Sequence, residues 1–466
     1  MSILVIVLAV VWLGLMAYGR SKPLPNGLSL EGPPRVAPKV EFLVDCTYQQ
    51  AGRPVCEQTI FKRMCGIIDG AERFVLLDLF LFNNIHDQGE KFPTLSDEMA
   101  RRLVEKKLRS PQVDIVLITD AINRTYGADE PEHFRRLRAS GVRIIYTDTS
   151  KLRDSNFIYS SWWRLFCQWF GTKGAGWLPS PFAPDGPAMT IRGYLSLFNF
   201  KANHRKVVVN EKEALITSAN PHDASAYHSN IAIVAQGAVV RDVVDAEAAV
   251  ASFSGEDLPK WVIPVRPESG KVSLRLLTEG KIKSRLLQSL ALCGSGCSVR
   301  MAMFYLSDRE VVSGLLEAAA RGAEVRLLLD PNKDAFGRRK NGIPNRPVAH
   351  ELVEKSQGRI QIRWYGTHGE QFHTKLTMIS LPGQTVLIGG SANLTRRNID
   401  DLNLEACFEV TAPADSQVVQ AAAGYFERIW RNQDGVYSLD YRQFSEKSSV
   451  KYVLYRFQEW SGMSTF

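Results

Sequence analysis

Two short segments of the sequence carry side chains able to do chemistry. His204 and Lys206 open one apolar run, and Ser218 and Asn220 close the next. His373, Lys375, Ser391 and Asn393 repeat the arrangement further along. Alternate residues of a strand face one way, so each His-x-Lys sets an imidazole beside an ammonium. In both copies a second apolar run ends in Ser-Ala-Asn, which gathers four polar side chains at adjacent strand ends. A single segment of this kind has a plain explanation in a buried or ion-paired histidine. Two matched segments argue for one site built from both. With the halves face to face, one imidazole can attack phosphorus and the other can protonate the leaving oxygen. Lysine, asparagine and serine donors can hold the equatorial oxygens meanwhile. That is phosphoryl transfer from a diester. The same donors supply the electrostatics that Mg²⁺ supplies elsewhere, so neither a metal nor a cofactor is expected.

The elements that must position these residues are also written twice. RFVLLDLFLF (73–82), an amphipathic SDEMARRLVEKKL, VDIVLITD ending in Asp120, EHFRRLRASG and VRIIYTD form one series. CSVRMAMFYLS (297–307), REVVSGLLEAAARG, AEVRLLLD ending in Asp330, HELVEKSQG and RIQIRWYG form the other. Alternating strands and helices predict an α/β fold of two pseudo-symmetric halves, with mixed β-sheets flanked by helices and functional groups at strand ends. The halves are expected over 41–255 and 272–432, with a linker over 256–271 and a tail over 433–466.

Composition bounds the rest. The 466 residues are 45% apolar, 10% aromatic and 23% charged, which excludes disordered, collagenous and multi-spanning classes. Subtracting 49 acidic from 57 basic residues gives +8, an excess suited to an anionic partner but indifferent to which one. The seven cysteines are too few for a disulfide scaffold, and Cys293 and Cys297 read as structural. Residues 1–19 hold an uncharged apolar run at the short end of what spans a bilayer as a helix, which predicts a single-pass anchor. Arg20, Lys22, Arg35 and Lys39 follow the run, so the body is expected on the cytoplasmic side of a bacterial-type inner membrane. Residues 20–40, rich in proline, read as a semi-rigid spacer that lifts the body off the bilayer. An insert over about 150–200 has no counterpart in the second half. Its Trp162, Trp163, Trp169 and Trp177 beside Arg164 and Lys173 suit a lipid headgroup interface or, equally, a helical insert packed into its own core.

With NHRK, FHTK, both SAN segments and SANLTRRNIDDLNLE in view, the chain resembles the phospholipase D superfamily, and within it the bacterial cardiolipin synthase-like branch, over roughly residues 58–432. The resemblance implies one active site between two halves of a monomer and a covalent phosphohistidine resolved by water or an alcohol. The sequence also departs from the family pattern. The acidic residue usual seven positions after each histidine is Glu211 in one half and Ser380 in the other, and Asn220 lies 16 residues after His204 where Asn393 lies 20 after His373. Glu405 stands where the family places a carboxylate that orients a catalytic histidine. Its counterpart by spacing is Ala232, with Asp223 as a candidate substitute. The resemblance favours His204 as nucleophile, whereas a carboxylate beside His373 would make that histidine the better base. His222 and His228 read as supporting or surface residues. Arg205 and Arg396 are candidate phosphate ligands, and the tail VKYVLYRFQEW is expected to dock on the domain. The function expected is a phosphatidyltransferase acting on phospholipid. A hydrolytic phospholipase D, a nuclease of the same superfamily and a decayed lipid-binding protein are the alternatives.

Overall fold

The computed structural model describes residues 2–86, 91–264, 269–335, 338–464 and 466. Within them lie two mixed sheets flanked by helices. The first runs from edge to edge as Arg53–Glu57, Val40–Gln50, Asn230–Gln236, Glu213–Thr217, Lys206–Asn210, Phe74–Leu79, Asp114–Thr119 and Arg143–Tyr146. The second runs as Arg35–Val36, Ser273–Thr278, Ala406–Ala412, Gln384–Gly390, Lys375–Leu381, Ser298–Met303, Glu324–Leu329, Ile360–Tyr365 and Ser438–Asp440. The central seven strands of each follow the same order, so the doubled series of apolar runs becomes a doubled sheet.

Burial explains the strand choices. All six residues of Phe74–Leu79 are buried, as a strand covered on both faces requires. This strand pairs parallel with Asp114–Thr119 and antiparallel with the strand that begins at Lys206. Ser298–Met303 does the same with Glu324–Leu329 and Lys375–Leu381. The helix Arg309–Ala320 between the parallel strands is capped by Asp308, which accepts from the amides of Glu310 and Val311.

The two sheets face each other across the pseudo-two-fold. One apolar cluster contains Val207, Ile216 and Ile233 of the first half together with Met378, Leu387 and Phe408 of the second. Gly389 permits the approach: a Cβ there would stand 3.1 and 3.2 Å from the Cδ1 atoms of Ile231 and Ile233. Two short parallel bridges, Asn203 to Leu404 and Ser229 to Phe372, stitch the halves at their strand ends.

The expected spacer does not lift the body off anything. Arg35–Val36 pairs with Ser273 and Leu274, and Gly32 donates to the Leu276 carbonyl at 2.8 Å. Residues of this stretch complete an edge of the second sheet, because open strand edges are costly to leave unpaired. The N-terminal helix Ser2–Ser21 is long and apolar enough to cross a membrane over Ile3–Ser21, at a mean hydropathy of 2.2, and the body scarcely covers it. Its end is clamped. The Gly19 carbonyl accepts from the Asp154 amide at 2.9 Å, and a Cβ on Gly19 would fall 1.9 Å from Asp154 Oδ2, a contact only glycine allows. Asp154 is itself buried between Arg164 and Lys201, at 2.9 and 2.6 Å.

The insert is ordered, with helices Phe157–Phe166 and Ile191–Leu197 and a bridge from Leu178 to Met189. Of the expected linker, residues 265–268 lie outside the described residues, and Trp261 stacks on Phe74 with ring centroids 4.3 Å apart. The tail contributes Ser438–Asp440 to the second sheet, so that half extends past residue 432.

Candidate active site between the two halves

The strands Lys206–Asn210 and Lys375–Leu381 deliver the two His-x-Lys segments to corresponding strand ends. Each segment is anchored just before its histidine. Asp120 accepts from the Asn203 amide and Asp330 from the Phe372 amide, both at 2.8 Å. Burial pushes both carboxyls up to about 6. These aspartates close the matched strands noted in the sequence, which assigned them no role. Phe80 and Phe304, one residue past matched strands, flank the histidine rings at 4.8 and 5.0 Å between centroids. Lys206 and Lys375 sit over the same two phenyl rings at 5.0 and 5.1 Å. Each lysine donates to the carbonyl of its own histidine, at 2.7 and 2.8 Å.

The orienting groups cross between halves. His204 Nδ1 lies 2.8 Å from Glu405 Oε1, and His373 Nδ1 lies 3.1 Å from Asn230 Oδ1. The expectation that Glu405 stands beside His373 is therefore corrected. Leu404 pairs with Asn203, which seats the next residue, Glu405, against His204 of the opposite half. Ala232 is likewise not the counterpart of Glu405. Ser218 donates its amide to the Ile231 carbonyl and Ser391 to the Ala406 carbonyl, so register equates Asn230 with Glu405. Counting by equal spacing fails because the first-half connection is two residues shorter. Asp223 is engaged elsewhere, accepting from the amide and hydroxyl of Ser96.

Ser218 and Ser391 serve these orienting groups and not an incoming phosphate. Ser218 Oγ donates to Asn230 Oδ1 at 2.9 Å, and Ser391 Oγ donates to Glu405. Asn398 Nδ2 donates to Glu405 as well. Asn230 Nδ2 donates to the His228 carbonyl at 3.1 Å, which fixes the amide with its oxygen toward His373. Asn220 accepts from the Leu81 amide at 3.3 Å, whereas the buried Oδ1 of Asn393 has no hydrogen-bond partner among the described residues.

Electrostatics divides the two imidazoles. Burial pushes His204 down to about 4 against the raising influence of Glu405. For Glu405, burial acts upward, but His204, Lys206 and Ser391 outweigh it and hold the carboxyl below its usual range. At neutral pH the pair is thus a neutral imidazole on a carboxylate. A carboxylate only accepts, so Nδ1 carries the proton and Nε2 presents a lone pair. The His204 side chain keeps 12% of its surface open. Burial, then Lys375, then His228 press His373 well below its ordinary value, with Lys206 and His204 adding to the effect. The two halves therefore feel each other's charges. Burial also brings Lys206 down to about 7, and burial together with Lys206 lowers Lys375. Burial and mutual repulsion leave these groups short of protons, and an entering phosphodiester favours their return by supplying negative charge.

Other candidates fall outside this cluster. Arg205 is wholly buried, 2.7 Å from Glu279 and 3.2 Å from Glu247, so it cannot meet a substrate phosphate. It braces the interface, since Glu279 also accepts from the Glu405 amide at 3.1 Å. Arg205→Ala should cost about 3–5 kcal/mol of stability by stranding two buried carboxylates. Thermal unfolding checks this, and a raised KM with an unchanged melting temperature would restore Arg205 as a ligand. Arg396 donates to the Glu459 and Trp460 carbonyls of the tail helix Ser449–Ser461, away from the histidines. Trp162 and Trp169 are exposed at 41% and 73% on the outside of the insert, and Trp163 is half-buried there. His222 bonds Ser225 and the Ile85 carbonyl, while His228 places its ring 5.8 Å from that of His373. Glu211 accepts from the amides of Glu72, Arg73 and Phe74 at the far end of its strand, and Ser380 pairs opposite Ser298.

Residues 289–430 match the family model described as cardiolipin synthase, PLD-like domain. No curated protein matches the sequence. Among solved structures, the phosphatidylserine synthase of Haemophilus influenzae Rd KW20 is similar at a TM-score of 0.59 and 11% sequence identity, over 92% of this chain and 96% of that one. The polyphosphate kinase of Porphyromonas gingivalis aligns at a TM-score of 0.48 and 12% identity, over 92% of this chain and 54% of that one. Residues 289–430, in the second half, are thus similar to the cardiolipin synthase PLD-like domain, and the fold is similar to that of a phosphatidylserine synthase over nearly the whole chain.

Proposed function

We propose that the chain is a membrane-bound phosphatidyltransferase that moves a phosphatidyl group from an anionic phospholipid to an alcohol through a phosphohistidine on His204. The observation that carries this reading is the crossed pairing, with Glu405 on His204 and Asn230 on His373. His204 Nε2 attacks phosphorus while the P–O bond to the leaving alcohol breaks, and that oxygen takes a proton from His373. The anionic diester offsets the repulsion that keeps His373 neutral in the empty site, so substrate entry draws the needed proton onto it. In the second step the acceptor hydroxyl gives its proton to His373 and attacks phosphorus. The P–N bond breaks and His204 is restored. Lys206, Lys375, Asn220 and Asn393 stand by to stabilise the charge spread over the equatorial oxygens. The test is to incubate the protein with mixed phospholipid vesicles and identify products by mass spectrometry. A diacylglycerol phosphodiester built from phosphatidylglycerol is expected. Phosphatidic acid alone would make the enzyme a hydrolase, and cleavage of nucleic acid with inert lipid would overturn the reading.

A bilayer as the site of action is supported by the apolar surface beside the anchor. Trp162, Phe166, Trp169, Phe170 and Trp177 are exposed on the insert, which packs against the N-terminal helix. The tail helix buries Tyr455 and Glu459 in the second half, yet exposes Val450, Val453, Phe457 and Trp460 on its other side. Aromatic side chains of this kind favour the headgroup region. The cations after the anchor favour the body on the cytoplasmic side. Replacing Trp162, Trp169 and Trp177 together by Ser should lower turnover on vesicles several-fold and leave turnover of monomeric short-chain lipid unchanged. Equal losses on both would assign the aromatics to the fold.

A further inference from the structure

A second basic feature lies apart from the histidines. A cavity of about 460 Å³ opens where the end of the anchor helix, the start of the helix Gly280–Ala291, Arg153 and the segment Arg396–Leu402 meet. Arg20, Arg153, Lys281, Lys283 and Arg396 line it, against the carboxylates of Asp400 and Asp401, and none of His204, Lys206, His373 and Lys375 does. Two of the cations are matched within the wall. Lys283 pairs with Asp400, and with Glu310 at 3.0 Å, while Arg153 pairs with Asp401 at 3.2 Å. Three are not matched in this way. Among the described residues, Arg20 has the face of Phe157 at 4.7 Å and no carboxylate in ion-pair reach, and Lys281 has none either. Arg396 spends its guanidinium on carbonyls and stands 4.0 Å from Asp400. Burial, opposed by Asp400 and reinforced by Arg20, leaves Arg396 below its usual value. Like charges turned on one another in a concave wall suit an anion, which would relieve the repulsion.

The location narrows the ligand. Arg20 belongs to the last turn of the helix long and apolar enough to cross a membrane, and it lies over the ring of Phe157, against which the exposed Trp460 packs edge-on. The cavity therefore sits at headgroup depth. We propose that it binds a phosphate-bearing anion, a phospholipid headgroup or a free phosphate ester, at a site separate from the histidine centre. This does not depend on the reaction proposed above, because binding here is read without turnover.

The test uses the full-length chain carrying His204→Ala, in phosphatidylcholine nanodiscs, titrated by calorimetry with dihexanoyl phosphatidylglycerol and with inorganic phosphate. Lys281→Glu is expected to weaken the binding at least about tenfold. Lys281→Arg should keep it within about twofold. Ser284→Asp, which adds a carboxylate to the same wall, guards against misfolding of Lys281→Glu and should weaken binding similarly. Tighter binding of the lipid than of inorganic phosphate identifies a headgroup site. Equal binding identifies a soluble phosphate ester, and both outcomes support the proposal. Affinities left unchanged by Lys281→Glu and Ser284→Asp, with both variants folded by circular dichroism, overturn it.

Discussion

Replacement of His204 by Ala is expected to lower transfer by at least about 10³-fold and to abolish any trapped phospho-enzyme, because it removes the atom proposed to bond phosphorus. His373→Ala should be as damaging toward natural lipids for a different reason, the loss of the proton for the leaving oxygen. The two variants separate when the leaving group needs no proton. With a phosphatidyl ester of p-nitrophenol, His373→Ala should recover burst release of p-nitrophenol and accumulate phosphohistidine, while His204→Ala stays silent. The structure motivates this polarity: Glu405 sets His204 with Nε2 bare, whereas Asn230 gives His373 a neutral amide oxygen. Recovery in His204→Ala, with label found on His373, would reverse the roles.

The second large effect concerns Glu405. Glu405→Gln keeps the volume but can donate to His204 Nδ1, which would hold the imidazole in the wrong tautomer. A fall in kcat on the order of 10²–10⁴-fold with little change in KM is expected, by analogy with removing the carboxylate of a catalytic triad. The pH profile adds a sign. The attacking imidazole must be unprotonated, and burial sets His204 at about 4. The wild-type kcat/KM should therefore rise as pH falls from 7, because His373 must gain a proton that burial and nearby cations oppose, and drop as pH passes below about 4, where His204 is protonated. Glu405 raises His204, so Glu405→Gln should move this acid limb lower while depressing the maximum. A limb near pH 6.5 in both proteins would show that another group controls the rate.

Much of this architecture could be read from residue order. The doubled series of strands and helices predicted the two sheets because runs such as Phe74–Leu79 are apolar but for Asp78, a pattern that local physics alone imposes. The paired His-x-Lys segments were visible for the same reason, since strand alternation fixes which side chains share an end. What the sequence hid was contact between distant segments. Glu405 and His204 are 201 residues apart, and no spacing rule says that a carboxylate of one half will serve the imidazole of the other. Asn230 was missed because a connection two residues shorter broke the count. Phe80 and Phe304, in contrast, occupy equivalent places in the repeat and could have been found by aligning it. Arg205 misled because arginine beside a catalytic histidine invites a phosphate-binding role, while Glu247 and Glu279, which bury it, come from remote helices and turns.

The contact at Gly19 reaches beyond packing. With the root of the anchor hydrogen-bonded to Asp154 and the following segment laid into a sheet edge, the catalytic body has no swivel joint on which to sweep the bilayer or reach across to another. Traffic must come to it. On the reading proposed above, lipids would arrive by two-dimensional diffusion within the leaflet where the anchor is rooted, at one fixed height and tilt, and the rigid joint would exchange range for a constant angle of approach.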